Sequence, residues 1–219
     1  MRNKIICGRC EEIMAGMADN SVDIVITDPP FGVRKDEAWD DKDRFLQNVH
    51  IWLDECLRVS RTGVLWFCAE KMLSVILSRR QDFFQRILTW NKPPGSQYAG
   101  AMKNRIWFSS EPVLVFDKGG LGSKGKDAPF SYAVFNARTV PSKKFGCSTT
   151  KPVELMEWLV RHYTDPGDTV LDPFIGTGTT AVAAINTGRF FIGIEQDENL
   201  VQVARDRILS SQAQVCAQN

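Results

Sequence analysis

The sequence lacks any long uncharged hydrophobic run. No stretch approaches the roughly 18 to 20 apolar residues that a membrane helix needs, and the first residues, MRNKIICGRCEE, become charged before the apolar part of a signal peptide could form. We therefore expect no membrane association and a cytoplasmic location. With 219 residues, 43% hydrophobic and 24% charged, the composition is that of one globular domain and excludes fibrous and disordered classes.

Metal ligands and paired cysteines are also scarce. The two histidines, His50 and His162, stand alone, and the six cysteines are scattered along the chain. The closely spaced pair Cys7 and Cys10 has no second pair that would complete four zinc ligands. A chain of this size does not need disulfides for stability. We therefore expect free thiols and no metal site.

Apolar runs alternate with helix-period segments along most of the chain. This pattern predicts an α/β fold with a mainly parallel sheet covered by helices on both faces. The residues VDIVIT at 22–27 predict a buried strand that ends at two prolines. Further strands are predicted at 4–7, 64–68, 86–90, 113–116, 169–171 and 190–194. Helices are predicted at 10–17, 45–57, 71–80, 152–163 and 179–186, with a last helix that ends near 210.

Positive charge is concentrated in one loop-rich segment. Residues 91–151 carry a net charge of +7, whereas the rest of the chain carries −6. Aromatic residues are interleaved with these charges, which favours a polyanion-binding surface, although a solvated loop has a similar composition. We expect a single domain, 1–219, in which 91–148 form an inserted basic region for binding the polyanion. The candidate contacts in this region are Lys92, Lys103, Arg105, Lys124, Lys126, Arg138, Lys143 and Lys144.

A glycine-containing turn follows the strand predicted at 169–171. Its residues, Asp172-Pro173-Phe174-Ile175-Gly176-Thr177-Gly178, open a helix and bring backbone amides close to a ligand. Glu195, at the end of the next strand, is placed to bind ribose hydroxyls. The spacing also satisfies the dinucleotide pattern G-x-G-x-x-A. A nicotinamide enzyme would need a second nucleotide-binding half, for which there is no room, and the charge of Asp172 suits the positive centre of S-adenosylmethionine better than a pyrophosphate.

The motif Asp28-Pro29-Pro30-Phe31 lies at the carboxyl end of the strand at 22–27, where open α/β sheets bind ligands. The exocyclic amine of a nucleobase is a poor nucleophile because its lone pair is delocalised into the ring. The carboxylate of Asp28 and a carbonyl fixed by the prolines can accept its N–H groups and free the lone pair. Phe31 offers a flat face for an extruded base. A plain proline turn is the alternative that this motif leaves open.

The two motifs resemble those of DNA amino-methyltransferases, which methylate adenine N6 or cytosine N4. The catalytic motif precedes the basic segment, which precedes the cofactor motif, and this circularly permuted order resembles the β class of that family over essentially the whole chain. The resemblance implies a Rossmann-like fold, S-adenosylmethionine as the cofactor and double-stranded DNA as the substrate. Adenine is favoured because the cytosine-N4 members more often begin the catalytic motif with Ser.

The resemblance also implies residues for the site. Asp28, Pro29, Pro30 and Phe31 would be catalytic. Thr149-Thr150-Lys151-Pro152 is similar to the Thr-x-Lys-Pro segment that helps to bind the cofactor in this family. The implied cofactor-binding residues are Cys10, Lys151, Pro152, Asp172, Phe174, Gly176, Thr177, Gly178, Thr179 and Glu195. Arg9 departs from the family pattern, in which an Asp at this place contacts the adenine of the cofactor.

Several other functions stay open on the sequence alone. They are cytosine-N4 methylation, a DNA-binding module without turnover, an RNA substrate and a nicotinamide oxidoreductase. Cytosine-C5 methylation is disfavoured because it needs a Cys after a Pro, and no Pro-Cys dipeptide occurs. A homodimer is an alternative to a monomer, because a chain this small covers little duplex by itself.

Overall fold

The computed structural model describes residues 2–33, 40–93 and 109–218. These residues form an eight-stranded sheet in the order β1-β8-β7-β2-β3-β5-β4-β6. The strands are β1 (Lys4–Cys7), β2 (Val22–Thr27), β3 (Ser60–Phe67), β4 (Phe84–Asn91), β5 (Ser110–Asp117), β6 (Val134–Asn136), β7 (Thr169–Asp172) and β8 (Phe190–Glu195). The helices are α1 (Cys10–Ala15), α2 (Lys42–Val59), α3 (Leu73–Leu77), α4 (Val153–Tyr163), α5 (Thr179–Asn186) and α6 (Glu198–Gln218).

The sheet is mainly parallel, which confirms the predicted fold class. Among the described strands, β5 alone runs antiparallel to its neighbours, β3 and β4. The other strands run in one direction, so that β2, β7 and β8 end at the same side of the sheet. We call this side the carboxyl edge and the opposite side the amino edge. Ligands of open α/β sheets bind at the carboxyl edge.

The core lies on both faces of the sheet. All six residues of β2 are buried, as expected for a strand covered on both sides. Val25 packs in a cluster with residues of α1, α2 and α3. Its neighbours Ile24 and Ile26 point the other way, into a cluster with α4 and α5. The period-two alternation therefore assigns the helices to two layers. No helix in the described ranges is long and apolar enough to cross a membrane.

Several predicted boundaries were wrong, and three of them are informative. The helix predicted at 71–80 is a 3₁₀ turn, Glu70–Met72, followed by the short α3, because the chain then turns to pack Phe83 and Phe84 against the core. The last helix continues past 210 to Gln218. Strand β5 begins before Pro112, which is tolerated there because β5 pairs with β3 only from Val113 onward.

The basic region at 91–148 is divided by the sheet. It contributes β5 and β6, so that 118–133 and 137–148 are its two longer described parts outside the strands. The first of these parts follows the amino edge. Lys124 bonds there to Asp168 at 2.8 Å, immediately before β7, and Lys118 donates to the carbonyl of Ser60 at 2.6 Å. The second part follows β6, which runs parallel to β4 and therefore ends at the carboxyl edge.

Arg189 anchors the amino-edge segment. Its guanidinium is buried and donates to both oxygens of Asp127 at 2.7 and 2.9 Å, as well as to Thr164 and to the carbonyl of Thr187. Arg189→Met removes these bonds and leaves buried carbonyls without donors. We expect the free energy of unfolding to fall by about 2 to 4 kcal/mol, measured by urea denaturation. Arg205→Met, an exposed control on α6, should have almost no effect, and equal losses in the two variants would contradict the assignment.

Candidate active site

The two sequence motifs meet at the carboxyl edge. Strands β2 and β7 are parallel neighbours, and each leads directly into one of the motifs. The hydroxyl of Thr27, at the end of β2, donates to Oδ1 of Asp172, at the end of β7, with a separation of 2.9 Å. These residues lie 145 positions apart in the chain. The sheet therefore places Asp28 beside the glycine-containing turn.

A cavity of about 470 Å³ opens at this edge. Six of the predicted site residues line it: Cys10, Asp28, Pro30, Phe174, Gly176 and Glu195. Sequence analysis missed several further lining residues: Glu11, Arg44, Trp52, Gln196, Asp197 and Leu200. The volume lies within the range of roughly 300 to 1,000 Å³ that is common for small-molecule sites.

Glu195 holds the turn that follows β7. Its Oε2 accepts the Gly176 amide at 3.0 Å, and its Oε1 accepts the Asp197 amide at 2.9 Å. Burial raises the pKa of Glu195, against the lowering effect of these amides. The Gly176 amide is thus bonded to a carboxylate and is not presented to an anion. This arrangement disfavours the pyrophosphate of a nicotinamide cofactor.

An aromatic pair, formed by Phe174 of this turn and Trp52 of α2, also lines the cavity. The Trp52 indole meets the ring of Phe174 edge-on, with the centroids 5.0 Å apart. Its Nε1 donates to Glu11 at 2.8 Å. Burial by itself would raise the pKa of Glu11. The hydrogen bond from Trp52 and a backbone amide outweigh this effect and lower the pKa below its usual value, so the carboxylate is ionised at neutral pH. Arg9 forms ion pairs with Glu11 and Glu12 at 3.6 Å.

The donor set of the cavity fits a cationic nucleoside cofactor. Four carboxylates, from Glu11, Asp28, Glu195 and Asp197, line a space whose aromatic wall can hold a base. The guanidinium of Arg44, which also lines it, donates to Gln196 at 3.3 Å. An acidic lining attracts a positive centre and repels a phosphate. No cluster of three metal-ligating side chains occurs in the part of the chain that the structure describes.

A second, smaller cavity of about 70 Å³ separates Asp28 from the glycine-containing turn. Asp172 lines it, together with Lys151, Thr177 and Thr179. Burial raises the pKa of Asp172 to about 6, and its oxygens accept hydrogen bonds from Thr27, Thr180 and the Phe174 amide. Asp172 therefore joins β2 to the turn.

Two predicted cofactor-binding residues line neither cavity and shape the backbone instead. Gly178 adopts a φ of +84° at the start of α5, where a Cβ would lie 2.9 Å from the Cβ of Ala204. Only glycine adopts this conformation readily. Pro152 precedes the first residue of α4. Both residues act through the elements that they begin.

Asp40 holds the turn that follows Asp28-Pro29-Pro30. Its Oδ1 accepts the amides of Phe31 at 2.5 Å and Gly32 at 2.6 Å, and its Oδ2 accepts the Val33 amide at 3.1 Å. The side chain is buried. Gly32 has a φ of +67°, and a Cβ there would lie 2.8 Å from the Cβ of Phe45. Sequence analysis missed Asp40 because no motif marks it.

Asp28 is bonded through one carboxylate oxygen. The Lys151 ammonium lies 2.5 Å from Oδ2 of Asp28 and 2.9 Å from Oε1 of Glu111. Within the described residues, Oδ1 of Asp28 is buried and accepts no hydrogen bond. Burial raises the pKa of Asp28, and the charge of Lys151 lowers it again in part. The ammonium that we had assigned to the cofactor is thus bonded to Asp28.

The predicted DNA contacts separate into four groups. Arg138, Lys143 and Lys144 are exposed on the segment that follows β6 at the carboxyl edge. The ammonium groups of Lys92 and Lys124 are bonded within the fold, to Glu111 and Asp168. Lys126 is exposed, but it lies on the amino-edge segment, away from Asp28. Lys103 and Arg105 lie outside the described residues.

Comparison with known proteins identifies the family. Residues 22–206 match the N6/N4 methyltransferase family, described as DNA methylase, and the chain belongs to this family. The Type II methyltransferase M.HpaI of Haemophilus parainfluenzae is 27% identical over 237 residues, which cover 95% of this chain and 74% of that protein. The chain is thus a DNA amino-methyltransferase.

Solved structures give the same class. The M1.HpyAVI–SAM complex superposes with a TM-score of 0.72 at 25% identity and covers 94% of this chain and 98% of its own. The cytosine-N4-specific PvuII DNA methyltransferase has a TM-score of 0.76 at 17% identity, covers 94% of this chain and 86% of its own, and shows the fold alone. The methyl donor of this family, and of this chain, is S-adenosylmethionine.

Replacing Asp40 should impair the catalytic turn. Asp40→Ala removes the acceptor of three backbone amides, so that the Phe31 ring loses its fixed place. We expect the rate of methyl transfer to fall by about 10- to 100-fold, since hydrogen bonds to a charged group are worth about 1.5 to 3 kcal/mol each. Single-turnover kinetics would measure this. Asp41→Ala removes the exposed N-cap of α2 and serves as the control; similar losses in both variants would reject a specific role for Asp40.

Proposed function

We propose that the chain transfers a methyl group to the N6 amine of an adenine that is flipped out of a specific sequence in double-stranded DNA. The proposal rests mainly on Oδ1 of Asp28 at the carboxyl edge, which is buried and has no hydrogen-bond partner among the described residues. A carboxylate oxygen of this kind can only accept hydrogen bonds, and an exocyclic amine is a donor that would satisfy it. When bound, S-adenosylmethionine supplies an electrophilic methyl group.

Asp28 and Phe31 would act directly on the base. Oδ1 of Asp28 accepts one N–H of the amine and the carbonyl of Pro29 accepts the other, which draws the nitrogen toward tetrahedral geometry and frees its lone pair. Oδ1 then takes the proton that the amine loses. The Phe31 ring is half-buried beside Lys151, 5.4 Å from its ammonium, and would stack on the flipped base. Pro30 lines the cavity next to Asp28 and limits where the base can enter.

The large cavity would hold the cofactor. The carboxylate of Glu195 is placed for ribose hydroxyls, and the rings of Phe174 and Trp52 for the adenine. Glu11 would accept a hydrogen bond from the amino group of that adenine. It would thereby replace the Asp that the family pattern has at the position of Arg9. Cys10 would line the same end of the cavity, where its buried side chain is neutral because burial raises the pKa of the thiol.

DNA would approach the carboxyl edge. Lys143 and Lys144 form an exposed turn beside Ser142, which lines the large cavity, and Arg138 precedes them. These three side chains would contact phosphates and thereby fix the duplex over Asp28. We retain 1–219 as a single domain and assign target recognition to the parts of 91–148 outside the sheet. Lys103 and Arg105 stay in the proposed contact set.

Adenine is proposed over cytosine because the catalytic motif begins with Asp28. Cytosine-N4 members of the family more often have Ser there, and both bases present an amine with two hydrogens. Cytosine-N4 methylation is the alternative. It would use the same hydrogen bonds to Asp28 and Pro29.

Identification of the methylated base tests the proposal. The purified protein is incubated with unmethylated genomic DNA and methyl-labelled S-adenosylmethionine, and the DNA is then digested to nucleosides and analysed by mass. We expect the label in N6-methyladenine. Label in N4-methylcytosine would replace the proposed target, and absence of label in DNA while the protein binds the cofactor would overturn the function.

A further inference from the structure

A buried chain of alternating charges leads away from Asp28. Lys151 contacts Asp28 at 2.5 Å and Glu111 at 2.9 Å, and Lys92 contacts the other oxygen of Glu111 at 2.7 Å. The four groups come from the ends of different elements: β2, β4, β5 and the residues before α4. The charges of these two carboxylates and two ammonium groups sum to zero, and this balance makes the burial of the four groups tolerable.

Aromatic rings surround the Lys151 ammonium. Its Nζ lies 5.1 Å from the ring centroid of Phe67, 5.4 Å from that of Phe31 and 5.8 Å from that of Trp90. Lys151 as a whole is 7% exposed. The aromatic rings and the two carboxylates fix the ammonium in one position and shield it from solvent. The ammonium therefore has little freedom to follow a cofactor.

The two oxygens of the Asp28 carboxylate are bonded differently. Oδ2 is held by Lys151, whereas Oδ1 is buried and accepts no bond within the described residues. A carboxylate held at one oxygen cannot rotate its other oxygen away from the substrate. Without the cation, burial would favour a protonated carboxyl group, which is a poorer acceptor for an amine hydrogen.

We propose that Lys151 and Glu111 are positioning residues for Asp28: Lys151 holds Oδ2 and keeps the carboxylate ionised, while Glu111, paired with Lys92, holds Lys151 in place. This inference rests on the proposed function for what Asp28 does to the amine. It assigns to Lys151 a role in catalysis in place of cofactor binding, and it gives Glu111 a role that no sequence motif had indicated.

Replacing different charged groups around Asp28 should shift its pKa in opposite directions. Besides Lys151, it faces the carboxylates of Glu111 on β5 and Asp172 on β7, and both of these raise its pKa. The thiol of Cys68, after β3, is also nearby, and its pKa is raised by burial and by the charges of Glu111, Asp28 and Glu70. Lys151→Met removes the cation and should raise the pKa of Asp28, whereas Glu111→Gln removes a negative charge and should lower it.

Titration of Asp28 by NMR tests the proposal without requiring turnover. The protein is labelled with ¹³C at the aspartate carboxyl carbons, and the Asp28 signal is assigned with Asp28→Asn. We expect the midpoint to rise by about 1 to 3 pH units in Lys151→Met and to fall by up to about 1 pH unit in Glu111→Gln. Glu70→Gln, an exposed carboxylate at the same edge, is the matched control and should leave the midpoint in place.

Two kinetic measurements accompany the titration. Lys151→Met should bind S-adenosylmethionine within about threefold of wild type, yet its kcat should fall by about 100-fold at neutral pH and recover partly as the pH rises. Midpoints that do not move, or that move in the same direction in both variants, would overturn the inference, as would a loss of cofactor affinity in Lys151→Met. If that variant does not fold, the sign of the change in Glu111→Gln decides. A wild-type protein that fails to methylate DNA would overturn the proposed function separately.

Discussion

Asp28→Asn is expected to lower the rate of methyl transfer by roughly 10²- to 10⁴-fold, the usual contribution of a positioned acid–base group. The amide must direct its oxygen toward the Lys151 ammonium, which lies 2.5 Å from Oδ2 in the wild type. Its NH₂ group then faces the substrate amine, so that two donors oppose each other and no acceptor takes the proton. Single-turnover assays with labelled cofactor would measure the loss.

Cofactor binding should survive this substitution, because the residues proposed to bind the adenine and the ribose, Phe174, Trp52 and Glu195, line other parts of the cavity. Calorimetric titration with S-adenosylmethionine would check this. Asp43→Asn, which removes an exposed carboxylate on α2, is the control and should retain the wild-type rate. Transfer by Asp28→Asn at the wild-type rate would refute the assignment of the catalytic group.

The same carboxylate gives the wild-type enzyme a defined pH dependence. Burial raises the pKa of Asp28 to about 7, in spite of Lys151. Since only the ionised form accepts both the hydrogen bond and the proton, activity should be full above this value. It should fall as the pH drops through it.

Glu195→Ala is expected to raise the Kd for S-adenosylmethionine by about 10- to 100-fold, because hydrogen bonds to a charged acceptor contribute about 1.5 to 3 kcal/mol. The substitution removes the predicted acceptor of the ribose hydroxyls. It also releases the amide of Gly176, which Glu195 holds at 3.0 Å, so that the turn after β7 loses its fixed geometry. Isothermal titration calorimetry would give the Kd directly.

The kinetics of this variant should differ from those of Asp28→Asn. Glu195 does not touch the reacting nitrogen, so kcat at saturating cofactor should approach the wild-type value while KM for the cofactor rises. Glu198→Ala, at the exposed start of α6, is the control for a lost charge near the same strand end. An unchanged Kd in Glu195→Ala would mean that the ribose binds elsewhere.

The features that depend on residues adjacent in the sequence were predictable. Strand β2 is an uninterrupted apolar run that stops at two prolines, and α5 begins and ends where its pattern indicated. The positions of Asp28 and Glu195 followed, because each residue comes directly at or after a strand end. Parallel strands bring such residues to one edge of a sheet.

The partners of these residues were not predictable. Lys151 lies 123 positions from Asp28, and the sequence could not show that its ammonium turns toward a carboxylate and not toward the cofactor. Glu111 and Asp40 belong to no motif. Asp40 accepts the amides of the turn that follows Asp28, and Glu111 contacts Lys151, which in turn contacts Asp28. A count of lysines also does not show that the Lys124 ammonium is directed into the fold, toward Asp168, and not toward solvent.

The hydrogen bond between Thr27 and Asp172 has a consequence for how the chain is made. Ribosomes release the amino-terminal residues first, and proteins begin to fold during synthesis. Strand β2 can pair with β3 early in synthesis. The backbone groups on its other side stay unpaired until β7, about 145 residues later in the chain, has been made. An open strand edge invites association with other chains. Strand β2 therefore keeps one open side until β7 has been synthesised, and the turn after β2 can meet the turn after β7 only then.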